Sequence, residues 1–247
     1  TLEGHVHPDS LFDFLLSPSN AFNPILAGSF HMSEGKLVQV GYPRCDLLFE
    51  ESGALRRLGV DVSGYRKVLL WMPTFQRPAD GQYTDAQVNP TGLPLLETDR
   101  ELEALNGVLA RQRLLLLIKL HPGQDMTGVS LKTLSHIRML TNQELDEKGV
   151  QLYHLVGEAD ALLTDYSSIY FDYLLLNRPI GFIIDDIGDY RKNRGFVVED
   201  PLPLMPGEKI RTVEELDAFL AMLARDQDGW EEERQRVCRL ANRFTDG

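Results

Sequence analysis

The sequence runs to 247 residues, 43% of them hydrophobic, with a formal net charge of −12 and an isoelectric point near 4.9. That length holds one large or two small domains with a substantial core. The acidic balance excludes general nucleic-acid binding, which needs a basic footprint, and a purely electrostatic hold on anionic lipid.

In chain order, residues 11–16 and 20–27 read as short helices. From residue 37 onward, strand-like and helix-like segments alternate. Strands are expected at 37–40, 68–72, 114–120, 137–140, 161–164 and 180–184. Helices are expected at 49–58, 97–111, 149–158, 168–176 and 213–223, with a charged amphipathic helix at 230–243. Such alternation means βαβ units, and so an α/β fold with a doubly wound, mostly parallel sheet. The continuous apolar run Leu114 to Ile118 fits a sheet covered on both faces. Residues 77–94, rich in Gly, Pro, Asp, Gln and Thr, read as a long loop, and long loops in compact domains are often functional.

Residues 161–180 read ALLTDYSSIYFDYLLLNRPI. A short apolar strand stops at Thr164-Asp165, and a serine pair then opens an aromatic-rich helix. Ser167 and Ser168 thus fall at a helix N-terminus just after the carboxyl end of a strand. Free N–H groups and the helix dipole favour a phosphate there, and open α/β sheets bind ligands at that edge. Serine is also a preferred cap, so Ser167 capping its own helix is the competing reading. Three other strand-like runs end in polar, Pro-bearing turns: Gly41-Tyr42-Pro43-Arg44-Cys45-Asp46, Pro73-Thr74-Phe75 and Lys119-Leu120-His121-Pro122. With the serine helix they make four sites that can meet along one sheet edge.

Cations collect in or beside these turns: Arg44, Lys119, His121, Arg178, Arg191, Lys192 and Arg194. They offer an anionic ligand local positive charge in an acidic chain. For Arg191 to Arg194 the alternative is a solvated face partly neutralised by Asp185, Asp186 and Asp189. Two cysteines, Cys45 and Cys238, make neither a disulfide framework nor a four-ligand zinc site, and they suggest a reducing, cytoplasmic setting. His5 and His7 read as surface histidines. No metal and no cofactor is expected. The longest aliphatic run is far below the ~20 residues of a spanning helix, and no signal peptide is visible. The chain opens at Thr1, which suggests a fragment or a processed product.

GYPRCD, PTF, IKLHP, TDYSSIYFDY, NRPI, YRKNRGF and PG, in that order from about Leu15 to about Glu215, together resemble the CDP-glycerol:poly(glycerophosphate) glycerophosphotransferase family. These enzymes build teichoic acids and related capsular polymers. Two departures stand out: Cys45 where members usually have Asn, and Gln76-Arg77 where Arg usually follows PTF directly. The resemblance implies a Rossmann-like donor half of a two-domain architecture of the GT-B glycosyltransferase type. Residues 1–35 would connect from a missing N-terminal acceptor domain, and 36–247 would bind the donor. The family's acceptor-side histidine motif, His between Trp and Gly-Thr, is absent.

The implied reaction moves glycerol phosphate, or a related polyol phosphate, from CDP-glycerol or CDP-ribitol to a polyol-phosphate polymer, releasing CMP. Such phosphoryl transfer is mostly positioning and charge stabilisation. The expected donor-binding set is Arg44, Lys119, Asp165, Ser167, Ser168, Arg178 and Arg194, with His121 as the catalytic residue near the leaving group. Lys119 shares a face with His121 two residues on, or else pairs with a core-edge acid. Arg178 meets phosphate or braces Asp172. Asp165 accepts from donor hydroxyls or anchors its turn. Tyr166, Tyr170, Phe171 and Tyr173 read mainly as core. The acceptor base would lie outside this chain, and the parent protein would sit peripherally at the inner face of the cell membrane. A nucleotide-sugar transferase of the same architecture, and a nucleotide-binding module inactive as isolated, are the competing readings.

Overall fold

The computed structural model describes residues 11–74, 91–121 and 133–245. His5, His7, Phe75, Gln76, Arg77 and Pro122, named above, lie outside the described residues. The chain opens with β1 (Leu15–Ser17), α1 (Asn23–Phe30), β2 (Leu37–Gln39), a 3₁₀ turn (Pro43–Leu48) and α2 (Ala54–Arg57). It continues through β3 (Lys67–Trp71), α3 (Asp99–Gln112), β4 (Leu114–Lys119), β5 (Ile137–Leu140), α4 (Asn142–Glu147), α5 (Leu152–Glu158) and β6 (Ala161–Thr164). Then come α6 (Ile169–Tyr173), β7 (Ile180–Ile183), α7 (Ile187–Asn193), β8 (Glu208–Ile210), α8 (Val213–Ala224) and α9 (Glu231–Ala241).

The apolar strands pair because a run with no polar face must be covered twice. All six strands of the main sheet are parallel, in the order β5-β4-β3-β6-β7-β8. Along β4, Leu115 and Leu117 enter one core and Leu114, Leu116 and Ile118 the other. The first core takes Leu155 and Val156 of α5, Tyr170 and Tyr173 of α6 and Val237 of α9. The second takes Leu102, Leu105 and Leu109 of α3 with Leu216, Phe219 and Leu220 of α8. Helix α3 starts where Thr98 and Glu101 cap each other's backbone N–H groups and stops at Arg113, whose φ is 56°, a reciprocal box and a left-handed stop.

Three expectations need correction. Residues 15 and 16, read as the end of a helix at 11–16, lie in strand β1 instead, because β2 gives them a parallel partner: Leu15 registers with Leu37 and Leu16 with Val38. Short apolar runs take their form from such tertiary partners. For the same reason the expected strand at 37–40 belongs to this separate two-stranded sheet, so the Arg44 turn leaves a different sheet from the other motifs. The expected helix at 49–58 shrinks to α2, because Gly53 turns left-handed at φ 63° and the Glu158 carboxylate accepts from the Ala54 and Leu55 N–H groups at 2.7 and 2.9 Å. Strand β8 and helices α4 and α7 are short elements without a clear periodic signal.

Helix α5 packs on the 3₁₀ turn at Gly157, where a Cβ would stand 2.4 Å from the Leu48 carbonyl oxygen. Backbone cannot yield as a side-chain tip can, so Gly157→Ala should destabilise the fold by about 1–3 kcal/mol. Urea unfolding checks this: the midpoint should fall with the m-value unchanged.

Candidate functional site

From β3 the crossovers run through β4 to β5, and from β6 through β7 to β8 in the opposite direction. The crevice beyond the carboxyl ends of β3 and β6 is therefore the point where strand order reverses, the usual ligand position in such sheets. The two strand exits are tied together there. The Met72 N–H donates to the Leu163 carbonyl at 2.8 Å, and the Thr164 hydroxyl donates to the Met72 carbonyl at 2.9 Å. One residue on, Asp165 Oδ2 accepts from the Thr74 N–H at 2.7 Å and the Thr74 hydroxyl at 2.8 Å, while Oδ1 accepts from the Ser167 N–H at 3.2 Å. Burial pushes the Asp165 carboxyl up to about 6, against the pull of those donors, with Asp186 adding to the rise. Asp165 is thus the anchor of its turn.

A cleft of about 570 Å³ opens at this edge. Tyr42, Arg44, Thr74, Ser167 and Ser168 line its polar part, and Phe22, Phe171, Tyr190, Phe196 and Val198 are among its apolar walls. The cap of α6 is Ser168, not Ser167, and the Ser168 hydroxyl makes no capping bond. Arg44 is half exposed; its Nε–H donates to Tyr153 Oη at 2.7 Å and Asp172 Oδ2 at 3.0 Å. Tyr166 packs against Tyr190 and Phe196 with ring centroids 4.1 and 5.3 Å away, and its hydroxyl donates to Asp186 at 2.8 Å. Tyr173 is core, as expected, while Tyr166, Tyr170 and Phe171 each also face the cleft.

The other expected residues lie elsewhere. Lys119 is buried at the end of β4 and donates to the Leu120 carbonyl at 3.0 Å. Burial pushes its ammonium down, and Asp146 pulls the other way. His121 follows on the same carboxyl edge, one strand from β3, and burial together with Lys119 lowers its pKa, which leaves the ring neutral near pH 7. Neither residue lines the cleft. Arg178 does not brace Asp172. It donates to the Gly157 and Ala159 carbonyls, both at 2.7 Å, where a cation suits the negative end of α5. Arg194 is half-buried, with its guanidinium 5.5 Å from the Tyr190 ring centre. Cys45 is buried, with its thiol pushed up to about 12 by burial and Asp172, and so is inert. Among the described residues no three His, Cys, Asp or Glu gather as metal ligands, and no helix is long and apolar enough to cross a membrane.

A sequence profile of the CDP-glycerol:poly(glycerophosphate) glycerophosphotransferases matches residues 5–247. The chain belongs to this family. It is 29% identical over 198 residues to the teichoic acid ribitol-phosphate primase of Bacillus spizizenii, covering 76% of this chain and 45% of that protein. It is 28% identical over 198 residues to the teichoic acid glycerol-phosphate primase of Bacillus subtilis, covering 80% and 46%. A solved variant of the wall teichoic acid polymerase TagF superposes with a TM-score of 0.72 at 25% identity, covering 95% of this chain and 55% of that one. The chain therefore spans about half the length of the relatives it matches.

Within this glycerophosphotransferase-family chain, sequence reasoning missed Tyr42, Tyr153 and the apolar wall. Arg44 and Tyr153 are 109 residues apart, and no local pattern joins them. The raised Asp165 value gives a pH test. Folding favours its protonated form, so its contribution to stability is full at about pH 4 and is lost as pH rises through about 6. Asp165→Asn cannot ionise, so in urea unfolding the variant should gain on the wild type between about pH 4 and pH 7. A constant difference across that range would refute the shift.

Proposed function

We propose that this chain supplies the donor site for transfer of glycerol phosphate, or a related polyol phosphate, from a CDP-alcohol to a growing teichoic-acid-like or capsular polymer. The observation that carries this reading is the convergence of Arg44, Thr74, Ser167 and Ser168 on one cleft at the strand-order reversal. An acceptor hydroxyl attacks the phosphorus bearing the polyol, the bond from that phosphorus to the CMP oxygen breaks, and CMP leaves with the electron pair. The Ser168 N–H and the two serine hydroxyls hold the pyrophosphate, and Arg44 offsets its charge. His121, on the same carboxyl edge but one strand outside this lining, is assigned to the leaving CMP, for a donor that extends from the serine turn past β3. Arg178 serves the donor at one remove by fixing the end of α5, and Arg194 closes the aromatic wall.

The acceptor base is assigned to a separate acceptor domain, joined through residues 1–35 to the donor domain 36–247. Two observations support this. Relatives are about twice as long as this chain, and the β1–β2 pair is too small to be stable alone while leaving Phe14 66% and Val40 52% exposed. The whole protein is placed in the cytoplasm at the inner face of the membrane, a setting that suits the two free cysteines.

Titration calorimetry of this chain tests the donor site. CMP, CDP-glycerol or CDP-ribitol should release binding heat, whereas UDP-N-acetylglucosamine and GDP should not. Preference for UDP-N-acetylglucosamine would favour the nucleotide-sugar reading. The same 247 residues, offered CDP-glycerol and a glycerol phosphate primer, should show no transfer. Turnover would overturn the division between donor and acceptor domains.

A further inference from the structure

Among the described residues lining the cleft, Arg44 is the only Lys or Arg, and its surroundings fix it unusually well. Its Nε–H is shared between the Tyr153 hydroxyl at 2.7 Å and Asp172 Oδ2 at 3.0 Å, and its Nη2 lies 3.0 Å from the same carboxylate oxygen. The Tyr153 hydroxyl donates to that oxygen at 2.5 Å. The guanidinium carbon stands 4.1 Å from the centre of the Tyr42 ring. Three elements take part: the 3₁₀ turn carries Tyr42's neighbour Arg44, α5 brings Tyr153, and α6 brings Asp172.

A guanidinium has five N–H donors. Nε and one hydrogen of Nη2 point inward, which leaves three for the cleft. The Asp172 side chain is 5% exposed and that of Arg44 45%, so the carboxylate is shut in while the guanidinium keeps an open side. The charge is also secure: burial works against it, but Asp172 and Tyr153 outweigh burial and hold the group above its usual value. A free arginine loses rotamer entropy when a ligand immobilises it, and here that ordering is done by the fold.

We propose that Asp172 and Tyr153 are positioning residues of the anion site, which together with Tyr42 aim the free N–H groups of Arg44 at a phosphate of a bound nucleotide. This rests on the donor-site reading above. It also makes a prediction of sign. As a mere neighbouring charge, Asp172 would repel a phosphate, and its removal would tighten binding. As a positioning group, its removal loosens binding.

The experiment is calorimetry with CMP, and ligand-observed NMR with cytidine, on the wild-type chain and on Tyr153→Phe, Asp172→Ala and Arg44→Lys. Tyr153→Phe removes one hydroxyl and no charge, and should weaken CMP about 2- to 12-fold, the equivalent of one hydrogen bond. Cytidine binding should not change. Adding Tyr153→Phe to Arg44→Lys should cost nothing further, because the two act as one unit. Thermal melts check folding, and if Asp172→Ala fails to fold, the Tyr153→Phe results decide. Wild-type binding of CMP with Tyr153→Phe unaffected, equal losses for CMP and cytidine, or tighter CMP binding by folded Asp172→Ala would each overturn the proposal. No CMP binding by the wild type would instead defeat the donor-site reading itself.

Discussion

Asp165 receives three hydrogen bonds from two loops that leave neighbouring strands, and the site depends on that carboxylate. The loops after β3 and β6 diverge because their crossovers cover opposite directions of the sheet. A crevice forms wherever strand order reverses, but nothing in topology alone fixes its walls. Here Thr74 donates twice to one oxygen and Ser167 once to the other. A buried carboxylate is costly unless its oxygens are satisfied, and in satisfying them the chain sets the Thr74 loop and the serine turn at one spacing. The cleft's polar part is the outward side of that arrangement.

The second constraint is the use of positive charge in a chain of net charge −12. Most of the buried or half-buried arginines answer backbone carbonyls rather than a ligand. Arg138 donates to Leu58, Arg178 to Gly157 and Ala159, and Arg234 to Asn177. Each closes a helix end or loop. Arg44 differs in having its partners on one side and the cleft on the other. A run of cations in the sequence is thus a poor guide to which one meets an anion; burial and the direction of the partners decide.

Five of the six main strands, β3 to β7, were legible because continuous apolar runs between turn residues have one reading once helices alternate with them; the three-residue β8 gave no such run. Strands 137–140 and 161–164 match to the residue. The serine turn and Arg44 were legible as motifs and share the cleft. What the sequence hid was non-local. Strand β1 exists through β2, α2 is cut by Gly53 and capped by Glu158 about a hundred residues away, and Asp172 meets Arg44 across 128 residues rather than nearby Arg178. Lys119 and His121 were expected beside the serines from the meeting of strand ends and from the IKLHP motif. Yet β4 lies one strand beyond β3, and that spacing keeps them out of the cleft lining.

Hydrogen–deuterium exchange of this chain with and without saturating CDP-glycerol tests the central claim most directly, because it reports where a ligand sits and not only whether it binds. The account predicts slower exchange at the amides of Ser167 to Tyr170, at Arg44 and Cys45, and at Thr74, with the far ends of β3 and β6 unchanged. Protection confined to the β5 side of the sheet, or to the α1 wall with the serine turn unaffected, would contradict it.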